Sequence, residues 1–232
     1  MPDLPRIEAV AFDCDGLMFN TEESFNIAGR EMLRRRGHEL TPAILQLMMG
    51  RRAEEAFAVL VDRLQLDDPP EVLRAEYQQL FLYALEGRLA AMPGLFELLA
   101  LIEHVGLPMA VCTSSERDYL DRMLGRFELT SRFVTTLTAE DVTHGKPHPE
   151  IYLAAAERLG VLPQNLLVLE DSQNGTKAAA AAGAVAVSVP HEHSRSQDFS
   201  MAHLVADGLG DHRIAALVAP DRSVRIPVHA VG

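Results

Sequence analysis

The sequence predicts an α/β protein in which a doubly wound parallel sheet is interrupted by an inserted helical domain. Short apolar runs alternate with helical segments over most of the chain, which is typical of parallel strands covered by helices. The stretch from Thr21 to Gly87 departs from this alternation, because it shows helical patterns and no convincing strand. Several apolar runs end in polar residues, and α/β sheets bind ligands at the carboxyl ends of their strands.

The first strand is predicted from about Glu8 to Asp13, and a helical region follows it. The helices expected there are Thr21 to Gly37, Pro42 to Met49, Ala53 to Leu66 and Pro70 to Gly87. We expect Thr21 to be the N-cap of the first, since threonine favours that position. Residues 20–88 are therefore predicted to form a helical cap domain, inserted into a core domain of residues 1–19 and 89–232.

Regular alternation resumes after Pro93-Gly94. The expected strands are Pro108 to Cys112, Phe133 to Leu137, Leu166 to Leu169, Ala184 to Val189 and His203 to Val205. The expected helices are Leu95 to Val105, Glu116 to Phe127, Pro149 to Leu159, Asn174 to Ala182 and Asp211 to Val218. Gly183 is suited to end the fourth of these helices, and the tail from Pro220 onward shows no clear pattern.

The charge and hydropathy of the chain argue against nucleic acid and membranes as its partners. The formal net charge of −12 argues against nucleic acid or an anionic membrane as a partner, although a local site can still attract a phosphate. No apolar run approaches the length of a membrane span, and the N-terminus lacks the features of a secretory signal. We expect a soluble, cytoplasmic protein, with a monomer as the default state.

The two cysteines and the histidines do not suggest a soft-metal site. Cys14 and Cys112 lie at predicted strand ends, and we expect them to be small buried residues in a reducing compartment. A catalytic thiol is not expected because neither has an obvious histidine base beside it in sequence. A zinc site among the histidines is not expected either.

Carboxylates, hydroxyls and a lysine lie at the predicted strand ends. Asp13 and Asp15 follow the first strand, and like charges at that spacing favour a bound cation or a shared proton. The other segments are Thr113-Ser114-Ser115, Gly145-Lys146-Pro147 and Glu170-Asp171-Ser172. If the strands are parallel neighbours, these groups converge on one edge of the sheet. Such a set suits a phosphoryl group and a hard cation.

This combination resembles the haloacid dehalogenase superfamily of phosphotransferases, and within it the β-phosphoglucomutase-like branch. The segments that carry the resemblance are Phe12-Asp13-Cys14-Asp15-Gly16-Leu17, Thr113-Ser114-Ser115, Gly145-Lys146-Pro147-His148-Pro149-Glu150-Ile151-Tyr152 and Glu170-Asp171-Ser172-Gln173-Asn174-Gly175. It extends from about Ile7 to about Val218. The resemblance implies a Rossmann-like core with a cap domain at the position of the helical insert. It also implies a Mg²⁺-dependent phosphatase that acts on a small phosphorylated metabolite, with a sugar phosphate favoured.

The resemblance assigns a role to each carboxylate. Asp13 is expected to attack phosphorus and form an aspartyl phosphate, and Asp15 to act as general acid and base. Mg²⁺ is expected to bind Asp13, the backbone carbonyl of Asp15, and Asp171. Glu170 is either a further ligand or a partner of the metal through water.

The remaining expected site residues contact the substrate. Thr113 and the backbone N–H of Ser114 would hold phosphoryl oxygens, and Lys146 would neutralise charge there and steady Asp13. Arg51 and Arg52, in a predicted cap loop, are candidates for substrate binding, although a solvated basic turn explains them equally well. Residues nearby that suit helix caps or loops as well as substrate contact are Ser115, Arg117, His144, His148, Ser172 and Asn174.

Several alternatives remain open at this point, including a pyrophosphatase and a binding protein that has kept the fold and lost its activity. Mutases of the branch carry a histidine where this chain has Phe25 and an arginine where it has Ala53, which favours hydrolysis over a hexose-phosphate mutase. Asn20 stands where the branch usually has aspartate. A phosphoaspartate signalling switch would also use aspartates, a hydroxyl and a lysine around Mg²⁺, but Asp15 and the long insert argue against it. A lysine-dependent phosphonate hydrolase is not expected, because Thr21 to Gly87 contains no lysine.

Overall fold

The computed structural model describes residues 5–48 and 53–220, and its strands form a six-stranded parallel sheet. The strands are β1 (Ala9–Phe12), β2 (Met109–Cys112), β3 (Thr135–Leu137), β4 (Leu166–Glu170), β5 (Val185–Ser188) and β6 (Leu204–Val205). They lie in the order β3-β2-β1-β4-β5-β6. Each predicted strand is therefore present, and the predicted α/β class with a parallel sheet is confirmed.

The described helices also follow the predicted pattern. They are α1 (Thr21–Arg34), α2 (Pro42–Met48), α3 (Ala53–Leu64), α4 (Pro70–Leu85), α5 (Leu95–Val105), α6 (Arg117–Arg126), α7 (Glu150–Leu159), α8 (Gln173–Ala181) and α9 (His212–Val218). Short 3₁₀ turns at Thr130–Arg132, Ala139–Asp141 and Pro163–Asn165 were not expected. These short turns lack the length over which hydrophobic periodicity can be recognised in a sequence.

Strand order brings the polar segments together. The first strand lies between β2 and β4, with Phe12 opposite Val111 on one side and Leu169 on the other. The order of the strands reverses at β1, so the residues that follow β1, β2 and β4 meet at one carboxyl edge. Such a switch point is the usual ligand site of an open α/β sheet.

The two faces of the sheet are covered differently. On one face Val10 and Phe12 pack in a large apolar cluster that includes side chains of α5, α6 and α9. On the other face Ala9 and Ala11 pack against α7 and α8. Successive side chains along β1 point to opposite faces, so each face of the sheet receives different side chains. The small alanines on the second face let the helices pack close to the sheet.

Helices α1 to α4 contain a further apolar cluster, formed by Met32, Leu33, Ile44, Phe57, Leu60 and Leu73. Because the insert has an apolar cluster of its own, we propose its division from the core as a cap of residues 20–88. Helices α1 and α4 pack against each other across the insert.

Asn20 forms hydrogen bonds between the two connecting segments that join the insert to the core. Its Nδ2 donates to the carbonyl of Arg88 at 3.0 Å, and its Oδ1 accepts from the N–H of Ala90 at 2.6 Å. The prediction that Thr21 caps α1 is wrong: Thr21 is the first helical residue, and Asn20 occupies the N-cap position. Asn20 makes no capping hydrogen bond, because its amide is engaged by the other connection.

No helix within residues 5–48 and 53–220 is both long enough and apolar enough to cross a membrane.

Candidate active site

Lys146 joins two buried carboxylates at the carboxyl edge of the sheet. Its Nζ lies 2.6 Å from Asp13 Oδ1 and 2.5 Å from Glu170 Oε1, and it donates to the carbonyl of Cys112 at 2.9 Å. Asp13 follows β1, Glu170 ends β4 and Cys112 ends β2. One ammonium group thus connects the ends of three neighbouring strands.

The electrostatic environment of Asp13 and Lys146 is set by burial. Loss of solvent is the largest influence on Asp13 and raises its pKa well above the usual range, although the Lys146 charge opposes this. Burial would lower the pKa of Lys146, but the nearby charges of Asp13 and Glu170 outweigh it and raise that pKa well above its ordinary value. Lys146 therefore stays charged, and it offsets only part of the negative charge around it.

Glu170 is held on both carboxylate oxygens. Oε1 accepts from Lys146 and from the hydroxyl of Tyr152, the latter at 2.5 Å. Oε2 accepts from the Ser172 hydroxyl at 3.0 Å, and that hydroxyl also accepts from the N–H of Gly175 as the N-cap of α8. A Cβ at Gly175 would overlap the Glu170 carboxylate. This fixed side chain is suited to orient Lys146.

Asp171 lies beside Glu170 and is also buried. Its Oδ2 lies 2.8 Å from Nε2 of His191, and Gly16 approaches so closely that an added Cβ would lie 2.5 Å from the same oxygen. Gly16 has a φ of +79°, which a glycine adopts readily as the chain turns out of β1. Burial, followed by the charge of Glu170 and then Glu22, raises the pKa of Asp171 well above its ordinary value.

Asp15 is directed toward side chains that follow β2. Its Oδ1 accepts from the hydroxyl of Tyr119 at 2.6 Å, and its Oδ2 accepts from the Ser115 hydroxyl at 2.8 Å. Thr113, which is buried, has its hydroxyl 3.4 Å from the same Oδ2 and accepts from the N–H of Ser115 at 3.0 Å. These donors hold Asp15 at the edge of the site in a fixed orientation.

These groups open onto one cavity of about 770 Å³ between the core and helices α1 to α4. Asp13, Asp15, Lys146 and Asp171 line its core side, together with Thr113, Ser114 and Asn174. The expected catalytic, phosphate and metal residues within the described chain therefore lie together. Arg51 and Arg52 fall outside the described residues.

The carboxylates fit a hard cation. Asp13, Glu170 and Asp171 each offer an oxygen within 4.8 Å of the others. Oxygen donors of this kind suit Mg²⁺, and a divalent cation would offset the repulsion and desolvation that raise the pKa of Asp13 and Asp171. The side chain of Asp15 faces Tyr119 and Ser115 instead.

Several residues flagged from the sequence have structural partners. Arg117 binds Thr136 and Asp141 behind the site, and Glu150 binds the exposed ring of His144 at 2.9 Å. Both cysteines are buried, and burial raises the pKa of the Cys112 thiol to about 12. Ser115 is not a helix cap, since the N-cap position of α6 is Glu116.

Sequence reasoning missed Tyr119, Tyr152 and His191. Each contacts a carboxylate of the site, although Tyr119 is 104 positions from Asp15 along the chain. Tyr152 lies in the segment from Gly145 to Tyr152 that resembles the family, but that segment gives the tyrosine no role of its own. A lone tyrosine on a helix face gives no signal of its own, because core packing accounts for it equally well.

Comparison with known proteins agrees with this geometry. The family described as haloacid dehalogenase-like hydrolase matches residues 10–189. The chain is 32% identical over 174 residues to the phosphorylated carbohydrates phosphatase of Thermotoga maritima, covering 75% of this chain and 80% of that protein. It is also 32% identical over 168 residues to the validoxylamine A 7′-phosphate phosphatase of Streptomyces hygroscopicus, covering 72% and 78%.

A solved structure gives the same result for the fold. The crystal structure of CbbY from Rhodobacter sphaeroides in complex with phosphate superposes with a TM-score of 0.76 at 26% identity. The match covers 88% of this chain and 95% of that one. The expected resemblance is thus confirmed over most of the sequence.

Proposed function

The chain belongs to the haloacid dehalogenase-like hydrolases, and on that basis we propose that it is a Mg²⁺-dependent phosphatase of a small sugar phosphate. The observation that carries the proposal is the buried contact between Lys146 and Asp13 at the floor of the cavity. A lysine held 2.6 Å from a carboxylate at a ligand-binding sheet edge is suited to phosphoryl transfer. Relatives named as phosphatases of phosphorylated carbohydrates support the substrate class.

In the first step Asp13 attacks phosphorus. A bond forms between its carboxylate oxygen and phosphorus, and the bond from phosphorus to the sugar oxygen breaks. Asp15 gives its proton to that leaving oxygen. Thr113 and the N–H of Ser114 bind phosphoryl oxygens, and Lys146 offsets their charge while orienting Asp13.

In the second step Asp15, now ionised, takes a proton from water. The water oxygen attacks phosphorus, phosphate leaves, and the carboxylate of Asp13 is restored. Tyr119 and Ser115 donate hydrogen bonds to Asp15. These two hydrogen bonds hold the Asp15 carboxyl group in one orientation for both proton transfers.

Asp13, Asp171 and the backbone carbonyl of Asp15 would hold Mg²⁺. When bound, Mg²⁺ supplies positive charge that stabilises the transferring phosphoryl group. Glu170 already accepts hydrogen bonds from Lys146, Tyr152 and Ser172. We therefore place Glu170 beside the metal as an orienting group, not as a direct ligand.

The insert of residues 20–88 acts as the cap in this proposal, and the functional unit is one chain. Phe25 stacks on Phe81 with ring centroids 4.3 Å apart, where a mutase would need an imidazole to help reorient a bisphosphate. Hydrolysis is therefore favoured over a mutase. The cavity beneath the insert and Asp15 favour rapid turnover over a long-lived signalling phosphoaspartate.

A substrate panel tests the proposal. Purified protein is assayed for phosphate release from acetyl phosphate and from several sugar phosphates, with Mg²⁺ and with EDTA, beside Asp13→Asn. The proposal expects release that needs Mg²⁺ and is lost in the variant. Interconversion of sugar phosphate isomers without phosphate release would instead support the mutase.

A further inference from the structure

The described cap side of the cavity is lined mostly by apolar side chains, and its polar members are Glu22, Asn26, Arg74 and Gln78. The cap residues that form this wall are Phe25, Leu40, Met48, Phe57, Tyr77 and Phe81. A sugar carries a hydroxyl on most of its carbons, and each one buried against apolar atoms without a partner costs binding free energy. We call this surface the apolar wall, and it is suited to an apolar part of the ligand and not to the sugar hydroxyls.

The aromatic rings of the apolar wall share one orientation. The ring planes of Phe25 and Tyr77 each lie within 7° of that of Phe81, and Phe57 meets Tyr77 edge-on with centroids 5.4 Å apart. Phe81 and Phe57 are only 5% and 3% exposed, and the rings together form an apolar surface against which a planar ligand can pack. The wall therefore favours a flat ring over a puckered, hydroxylated one.

Asn26 supplies an unpaired acceptor at the same place. It is 6% exposed, lines the cavity next to Phe25, and its Oδ1 has no hydrogen-bond partner among the described residues. A buried polar atom without a partner is costly, so a donor from the ligand would be favourable here. The apolar wall thus has an unpaired acceptor at its edge.

The described charged cap residues that line the cavity are Glu22 and Arg74. Arg74 lines the cavity, but its guanidinium is paired with Glu116 of the core and lies 3.6 Å from Glu54. Glu22 on α1 adds a negative group near Asp171 and His191. Arg74 is thus the cation among the described cap residues that line the cavity, and it already has a carboxylate partner.

We propose, as a deepening of the phosphatase function and dependent on it, that the substrate is a sugar phosphate bearing a planar, uncharged ring with an N–H edge. Nucleoside 5′-monophosphates are this class. The phosphate meets Asp13 and Lys146, the sugar spans the cavity, and the base lies against the apolar wall with its N–H donated to Asn26. A volume of about 770 Å³ lies within the usual range for small-molecule sites.

Ribose 5-phosphate and uridine 5′-monophosphate form a matched pair for the test, since they share the phosphate, the leaving oxygen and the ribose. The proposal expects kcat/KM at least tenfold higher for the nucleotide. It also expects free uridine to inhibit hydrolysis of acetyl phosphate competitively, and ribose to do so far more weakly. Adenosine 5′-monophosphate extends the comparison to a larger base.

Substitutions in the apolar wall test where the base of the nucleotide binds. Phe25→Ala and Asn26→Leu should each reduce the ratio of the two kcat/KM values at least threefold. Tyr83→Ala removes a 78% exposed aromatic from the same helix as Tyr77 and should leave the ratio unchanged. A thermal unfolding curve for each variant checks that it is folded.

The outcomes separate the two claims. Acetyl phosphate hydrolysis with equal or better use of ribose 5-phosphate would overturn the nucleotide assignment and leave the phosphatase intact. Hydrolysis of neither acetyl phosphate nor any phosphate ester would overturn the proposed function, and this inference with it. A nucleotide preference that Phe25→Ala and Asn26→Leu do not alter would place the ring elsewhere and overturn the assignment.

Discussion

The hydroxyl of Tyr119 donates a 2.6 Å hydrogen bond to Oδ1 of Asp15, and its ring lies 5.7 Å from that of Phe81 in the cap. Tyr119 belongs to α6 of the core, so one side chain touches the proposed acid–base residue and the cap together. The orientation of Asp15 therefore depends on Tyr119, which lies within the residues that match the family but outside its four short motifs.

Tyr119→Phe removes that hydrogen bond and keeps the ring contact. We expect kcat/KM to fall roughly tenfold to a hundredfold, since a hydrogen bond to a charged group contributes about 1.5–3 kcal/mol. The loss should be larger for an alkyl phosphate than for acetyl phosphate, whose leaving group needs less protonation. Equal losses on both substrates would argue that Tyr119 does not act through Asp15.

Lys146→Met leaves Asp13 and Glu170 buried without their shared cation. We expect a loss of about 3–5 kcal/mol in the free energy of unfolding, because removing one partner strands buried charge. Urea unfolding in the presence of EDTA measures this change in the free energy of unfolding. Arg34→Met breaks the exposed pair with Glu31 and is the control, with little change expected. Similar effects in both variants would contradict the account of Lys146.

Asp171→Asn removes a buried negative charge next to Glu170. Because burial and neighbouring carboxylates raise the pKa of Asp171, its ionised form is unfavourable without a metal. We expect the variant to be more heat-stable than the parent at neutral pH in EDTA, and to lose both activity and the stabilisation that Mg²⁺ confers. Stabilisation by Mg²⁺ that survives the substitution would exclude Asp171 as a ligand.

The same pKa shifts predict how stability varies with pH. Asp13 and Asp171 have folded-state pKa values above the ordinary 3.8, so the folded protein binds more protons than the unfolded chain above about pH 4. Their contribution to stability is complete below that pH and is lost as pH rises through the folded pKa values. Unfolding free energies in EDTA from pH 4 to 8 should show this loss, and added Mg²⁺ should reduce it. A metal-free protein whose carboxylates instead contribute more stability at higher pH would contradict the burial account.

Gly175→Ala tests the fixed position of Glu170. The added Cβ would overlap its carboxylate, so we expect activity to fall at least tenfold and stability by about 1–3 kcal/mol, as overpacking typically costs. Gly125→Ala in α6 meets no atom within 4 Å and is the matched control. It should gain about 0.5–1 kcal/mol from helix propensity. Phosphatase assays and urea unfolding of both variants decide the point.

Much of this architecture follows from local sequence. Each expected strand and helix within the described chain lies within a few residues of its predicted position, because the apolar runs and their glycine stops are local signals. Asp13 and Asp171 could be grouped from sequence because parallel neighbours end at the same edge. The site residues that could be predicted from the sequence are those whose positions depend only on strand order and register.

The contacts that sequence missed join distant elements. Tyr119 reaches Asp15 only after α6 packs beside the end of β1, and His191 reaches Asp171 from the loop after β5. Asn20 stands where the family branch usually has an aspartate, and its amide both donates and accepts hydrogen bonds across the two connections between cap and core. An aspartate could not donate to the Arg88 carbonyl, so the amide chemistry becomes clear only once the partner is known.

The most direct test of the account is to find the phosphoryl group on the protein during turnover. The enzyme is mixed with Mg²⁺ and a hydrolysed substrate, quenched in acid within milliseconds, and digested for peptide mass spectrometry. The account predicts a phosphorylated Asp13 that decays on a substrate chase and is absent from Asp13→Asn. Steady phosphate release with no label on Asp13, or with the label on another residue, would contradict Asp13 as the nucleophile.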